Sequence, residues 1–358
     1  MSVIELPIGD PIIKSYQFVA FPVAISSAYD DTEDWFFNNF IQLFCRTDGE
    51  FHVNFLACDI YGEMPFLKKY NLSQSYIAAI YNIGLKELFI RNLNAGYYIY
   101  SFVDEYYIPN RMNYQKNHYA HDILIYGCCP EGFLTLGYDA SRAFAKQVID
   151  FDIINTAAAS QSILALQKID NIYYKSEPNI KERVKKYGRD RIIEMLEDYL
   201  YGKNCIDKLF LYHDCYTDSL TDKAKNRYFY FKRVPNVFGI DVYHYLKLYI
   251  MNIFSKHELY NDMSVPMNHF AVLWEHKKIM SERILYISKK FDNPSVETLY
   301  PCFKKIEEQA LIIRNKLFKM QTGQSITKES ILSSIQIIDS MCESEKEAIG
   351  ELIKIMNK

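Results

Sequence analysis

The segment HDILIYGCCPEGFLTLGYD, residues 121 to 139, holds the residue types best suited to chemistry. If Cys128 to Gly132 form a five-residue hairpin loop, partner numbers on the flanking strands sum to 260. That register sets Gly127 against Phe133 and His121 against Asp139. Directly opposed positions of an antiparallel pair hold their Cβ atoms roughly 4.5 to 5.5 Å apart. The Asp139 carboxylate would then accept a hydrogen bond from the imidazole, orient it and stabilise its protonated form, as a general base requires. The same spacing also fits an ordinary cross-strand His/Asp pair on the surface. His118, three residues earlier, shares that face less naturally.

An oriented imidazole implies a nucleophile, and a thiolate is favoured at a helix N-terminus, where the macrodipole lowers its pKa. Trp35 to Cys45 (WFFNNFIQLFC) is apolar nearly all round, with Asp30, Asp31, Thr32 and Asp34 ahead of it as capping residues, which predicts a buried central helix. The residues entering it, Ile25 to Asp30, contain no cysteine. Cys45 stands at the opposite end, where the dipole opposes ionisation, and reads as packing. Cys58 falls in a strand, Cys128 and Cys129 in the hairpin turn, and Cys205, Cys215, Cys302 and Cys342 among core residues of helices. His118 and His121 with Cys128 and Cys129 lack the separation of a zinc site, so no metal is expected. Neither GxGxxG nor GxxxxGK[ST] occurs.

The elements that must carry these residues change character along the chain. Up to about residue 165, short runs rich in aromatic and β-branched residues alternate with Gly, Pro, Asn and Asp: Phe51 to Gly62, Glu87 to Leu93, Gly96 to Pro109, His121 to Gly127 and Phe133 to Asp139. Beyond it, apolar residues recur at three and four positions with Lys and Glu between them. The expected class is α+β, with residues 1–165 as an antiparallel-sheet domain around a central helix and 166–358 as an all-α domain. Over 358 residues, 49% are hydrophobic, which describes a folded chain. The 30 Tyr and 23 Phe suggest an aromatic-lined cleft as well as a core. A net charge of −3 disfavours general nucleic-acid binding. Val242 to Phe254, the best membrane candidate, is interrupted by His244, Lys247 and Asn252. The first residues lack a basic n-region and cleavage site, so a cytoplasmic location with reduced thiols is expected.

Residues 12 to 165, through DDTEDWFFNNFIQLFC, VDEYYIPNRMNYQKNHYAHDILIYG and FLTLGYD, resemble the papain-like superfamily. The likeness is to its bacterial branch of cysteine-protease homologues that act as acyltransferases and amide synthases in thiotemplated antibiotic biosynthesis, the butirosin-type acyltransferases among them. The resemblance implies a papain-like fold with a Cys-His-Asp triad at positions 28, 121 and 139. It implies ping-pong transfer of an acyl or peptidyl chain from the phosphopantetheine thioester of a carrier protein to a small amine or diamine. No bound cofactor is implied. Backbone N–H groups at the helix entrance would hold the oxyanion, and an aromatic tunnel would limit water. The chain departs from the family at position 28, which is Ala28. Three explanations stand: an engineered Cys-to-Ala change, a nucleophile displaced to Ser26, Ser27 or Cys45, or a natural pseudoenzyme. A papain-like peptidase or amidase, and a catalytically dead binding protein for a biosynthetic intermediate, are the alternatives.

Asp104 and Tyr107, with Glu105, are candidate contacts for the amine. Lys181, Arg183, Lys185, Lys186, Arg189 and Arg191 are a candidate dock for an acidic carrier protein, and equally a solvated helix face. The helical part is expected to cap the cleft or to mediate homo-oligomer formation.

Overall fold

A computed structural model describes residues 3–29, 32–48, 52–56, 67–73, 84–160, 170–176, 188–211, 232–260, 268–321 and 327–358. The described elements begin with β1 (Ile4–Glu5), α1 (Gln17–Ser26), α2 (Glu33–Asn38), β2 (Leu43–Arg46), β3 (His52–Phe55), β4 (Leu67–Ser73) and α3 (Leu85–Asn94). Then come β5 (Tyr98–Asp104), β6 (Ala120–Cys129), β7 (Gly132–Tyr138), β8 (Phe144–Ile149), α4 (Phe151–Ala158), β9 (Asp170–Ser176), α5 (Arg189–Leu200) and α6 (Ile206–Leu211). The last are β10 (Asn236–Phe238), α7 (Val242–Tyr260), α8 (Asn268–Lys290), α9 (Pro294–Glu297), α10 (Tyr300–Gln321) and α11 (Lys328–Met356). The chain is α+β, divided into two discontinuous units: residues 1–32 with 59–180, and 33–58 with 181–358. A single cut at residue 165 therefore does not describe it. β9 completes the first unit's sheet, and the segment around Trp35 belongs to the second unit.

The first unit is built on an antiparallel sheet in the order β4-β9-β5-β6-β7-β8, with β1 added along β6. Strand alternation sorts its residues. Ile99, Val103, Ile123 and Ile125 pack with Phe89 and Leu93 of α3 and with Phe151 and Ile154 of α4. On the other face α1 packs on β6, and its Phe21 ring lies 5.7 Å from that of Tyr100. Every residue of α1 except Phe18 is buried, so burial holds this helix despite Pro22 in its interior. The buried central helix is thus α1, not Trp35 to Cys45. That later stretch stops after six helical residues because Asn38 and Asn39 turn their amides onto the carbonyls of Asp34 and Trp35, at 2.8 Å each. Phe40 then takes φ 50°, and Leu43–Arg46 continues as a strand.

The second unit is mainly helical but not all-α, since β10, β2 and β3 form a three-stranded sheet within it. Its helices are tied by a fully buried cluster. Lys277 of α8 donates to both Glu345 oxygens of α11, at 2.9 and 2.7 Å, and to the Tyr199 hydroxyl of α5 at 2.7 Å. Tyr243 of α7 donates to Glu345 at 2.8 Å. All three ammonium hydrogens are used, which is what a buried charge requires. Arg283, also buried, donates to the carbonyls of Phe37 and Asn39 at the end of α2, at 2.9 Å each, and burial lowers its pKa to about 9. His269 accepts the Val53 N–H on Nδ1 at 3.3 Å as a neutral imidazole, and burial lowers its pKa to about 4.

Removing one partner of a buried ion pair strands the other. Lys277→Met or Glu345→Leu is expected to cost about 3–5 kcal/mol in denaturant unfolding, and the double variant much less than the sum. His269 binds a proton at about 4 folded and near 6.5 unfolded. Between those values the unfolded state holds more protons, so the second unit loses stability as pH falls from 6.5 to 4. The contribution is about 3 kcal/mol, and a His269→Asn variant is expected to show a flatter pH profile in the same window.

Candidate functional site

The hairpin differs from the five-residue loop in a way that rearranges the site. Cys129 pairs with Gly132, leaving Pro130 and Glu131 as a two-residue turn, and a bulge between Ile125 and Gly127 shifts the register. Gly127 thus opposes Leu134 rather than Phe133. Beyond the bulge Leu124 faces Leu136 and Ile125 faces Thr135, whose numbers sum to 260 as expected. Pairing stops there. Continued by one more step of the same face, the ladder would join Asp122 to Tyr138, but the Gln17 carboxamide stands between them. Tyr138 N donates to Gln17 Oε1 at 2.8 Å, and Gln17 Nε2 donates to Asp122 O at 2.8 Å and Asp122 Oδ1 at 2.6 Å.

One residue further out, His121 and Asp139 are separated into different partnerships. Asp139 is exposed and folds its Oδ1 back onto Ser141 N, Ser141 Oγ and Ala143 N, at 2.8, 2.6 and 3.0 Å, and these bonds hold its carboxyl below the usual range. His121 meets Glu105 instead, with Nδ1 2.8 Å from Oε1, and its Nε2 lies 3.5 Å from Asp122 Oδ1. Asn113 donates to the other Glu105 oxygen at 2.7 Å. Burial pushes the Glu105 pKa up, but the His121 and Asn113 hydrogen bonds and the charges of His121 and Arg111 outweigh it and hold it below the ordinary value. The imidazole–carboxylate pair is therefore His121–Glu105, not His121–Asp139.

Ala28 does not stand at a helix entrance. It follows the C-terminal end of α1, and its N–H bonds to Ile25 O. At 1.5 Å per residue, the length of α1 puts it about 15 Å along the helix from Gln17. A thiolate at position 28 would face the negative end of the dipole. The substitutes fare no better: Ser26 and Ser27 donate to Val23 O and Ala24 O, and burial raises the Cys45 thiol to about 12. The three triad positions are not brought together. Gln17 opens α1, with Tyr16 as its N-cap and Ser15 one residue before that.

Asp104 is fully buried and its oxygens are engaged by His118 Nδ1 at 2.8 Å and by the N–H groups of Tyr106 and Tyr119 at 3.1 Å. It closes the base of the 105–119 loop rather than offering a free carboxylate to an amine. Tyr107, half-buried, packs against the core. The same loop gathers an aromatic shelf: the Tyr106 ring stacks on His118 at 4.3 Å, Tyr107 lies 5.9 Å from His118, and Tyr119 lies 5.5 Å from His121. Cys58, Cys215, Lys181, Arg183, Lys185 and Lys186 lie outside the described residues, and Arg191 is buried rather than on a solvated face. Among the described residues no group of three or more His, Cys, Asp and Glu side chains is placed to hold a metal, and no helix is long and apolar enough to cross a membrane.

Sequence reasoning missed Gln17, Asp122 and Arg111. Strand parity could have found Asp122, because residues 122 and 124 share the α1 face, and the His121 ring near the strand end still reaches to within 3.5 Å of Asp122 Oδ1. The chain matches no protein-family model and no curated protein.

A lowered carboxylate pKa adds stability that is present above the unfolded value near 4.5 and is lost as pH falls through the folded one. Protection factors of β5 and β6 amides, corrected for the intrinsic exchange rate, are expected to fall below pH 4.5. Glu105→Gln is expected to flatten that acid dependence while leaving exchange in α8 unchanged.

Proposed function

We propose that the first unit binds an acyl thioester presented on the phosphopantetheine of a carrier protein, as papain-like acyltransferases do, and holds it without forming an acyl-enzyme. The observation that carries this reading is Gln17 at the start of α1, clamped by Asp122 and Tyr138 where such enzymes place their thiol. His121 Nε2 lies 3.5 Å from the Asp122 oxygen that Gln17 engages, so the side chain set beside this imidazole at the start of α1 is a carboxamide and not a nucleophile. The half-exposed His121 ring and the Tyr106, Tyr107 and Tyr119 rings offer a surface for an aromatic acyl chain. The reading is that of a binding protein for a biosynthetic intermediate in the cytoplasm.

Amide formation by acyl transfer is the second reading, because Ser15 puts a hydroxyl two residues ahead of α1. A serine there would attack the thioester, release the pantetheine thiol and pass the acyl group to an amine.

The two readings part on intact-protein mass spectrometry with S-(4-hydroxybenzoyl)-N-acetylcysteamine. Saturable binding by calorimetry with no mass increase is expected. A mass increase abolished by Ser15→Ala would establish transfer instead. Ala28→Cys is expected to gain no acyl adduct on Cys, and an adduct there would restore the triad at position 28.

A further inference from the structure

Around Gln17 the Asp122 and Glu105 carboxylates are both engaged. Both amide hydrogens of Gln17 go to Asp122, and Asp122 Oδ2 also accepts from the Tyr100 hydroxyl at 3.1 Å. Glu105 accepts from His121 and Asn113. Arg111 differs. It is only 3% exposed and donates from Nη1 to Tyr138 O, while Nε and Nη2 are buried without a hydrogen-bond partner. These two nitrogens form one edge of the guanidinium, with N–H bonds that run side by side. An edge of this kind suits a single acceptor group.

The edge is also placed. Gly137 lets the guanidinium close on α1, since a Cβ there would stand 2.8 Å from Nη1 and Nη2 and 3.0 Å from Gln17 Oε1. Arg111 and the first side chain of α1 thus converge over one glycine. The helix start beside them has Tyr16 as N-cap, which contributes no side-chain hydrogen bond. The charge around Arg111 then selects the ligand group. Glu105, Asp122 and Asp139 all act on the guanidinium, so a further anion would enter a site already rich in carboxylates, whereas a neutral carbonyl oxygen would not.

We propose that Arg111 holds the carbonyl oxygen of the bound acyl group through Nε and Nη2, at the start of α1. This deepens the binding reading and rests on it. No bond is made or broken, so Arg111 is a recognition residue.

The probe is S-(4-hydroxybenzoyl)-N-acetylcysteamine, compared by calorimetry with the thioether in which a methylene replaces the thioester carbonyl. The wild-type chain is expected to bind the thioester at least tenfold more tightly. Arg111→Gln and Arg111→Lys are expected to abolish that preference, the second because an ammonium keeps the charge and loses the fork. Circular dichroism establishes that each variant is folded, and the thioester–thioether comparison on the wild-type chain needs no variant. Equal affinity of the wild-type chain for the two probes, or a preference retained in both variants, would overturn the carbonyl site while leaving acyl binding standing. Failure of the wild-type chain to bind either probe would remove the binding reading and the site with it.

Discussion

The first unit turns on one side-chain amide placed where a backbone ladder would otherwise run. Gln17 reproduces a peptide group: its oxygen takes the Tyr138 N–H that β6 would have accepted, and its nitrogen gives Asp122 O the hydrogen that β7 would have donated. The insertion keeps the buried backbone satisfied while parting the strand ends. Everything beyond that level follows from the parting. Asp139 is released to cap its own turn, His121 is released to Glu105, and Tyr138 O is left for Arg111. An unmet buried polar group costs about 1–3 kcal/mol, so the three atoms bonded to the Gln17 carboxamide help to fix the entry of α1.

The second unit meets a similar constraint with charge. Lys277 and Glu345 are both fully buried, and a pair of that kind yields little net stability because each ion loses its water. What it supplies is register. Tyr199 and Tyr243 must bring their hydroxyls to the same carboxylate, so α5, α7, α8 and α11 have one arrangement that satisfies all four groups.

Residue periodicity made the α+β class and the helices beyond residue 188 legible, because long amphipathic patterns survive whatever packs on them. The boundary between units was not legible, since a discontinuous division leaves no change of composition at a single point. Two neighbouring apolar stretches exchanged roles for a physical reason. Phe18 to Ile25 carries a proline and reads as a poor helix, yet complete burial holds it, whereas Asn38 and Asn39 end the more helix-like stretch from within. At the site, the register was right where strands pair without interruption and wrong near Gly127, where the Ile125/Gly127 bulge inserts a residue. Glu105 was visible as an acidic residue at a strand end, but its pairing with His121 depends on how the 105–119 loop closes, and loop closure has no periodicity to read.

The decisive element is the residue at the start of α1. A nucleophile there would need a base within reach, and strand alternation gives the α1 face of β6 to Asp122, with His121 Nε2 3.5 Å from its Oδ1. That carboxylate is already bonded to Gln17 and to the Tyr100 hydroxyl. His121 also adjoins the aromatic shelf through Tyr119, and Arg111 lies over Gly137 beside the Gln17 carboxamide.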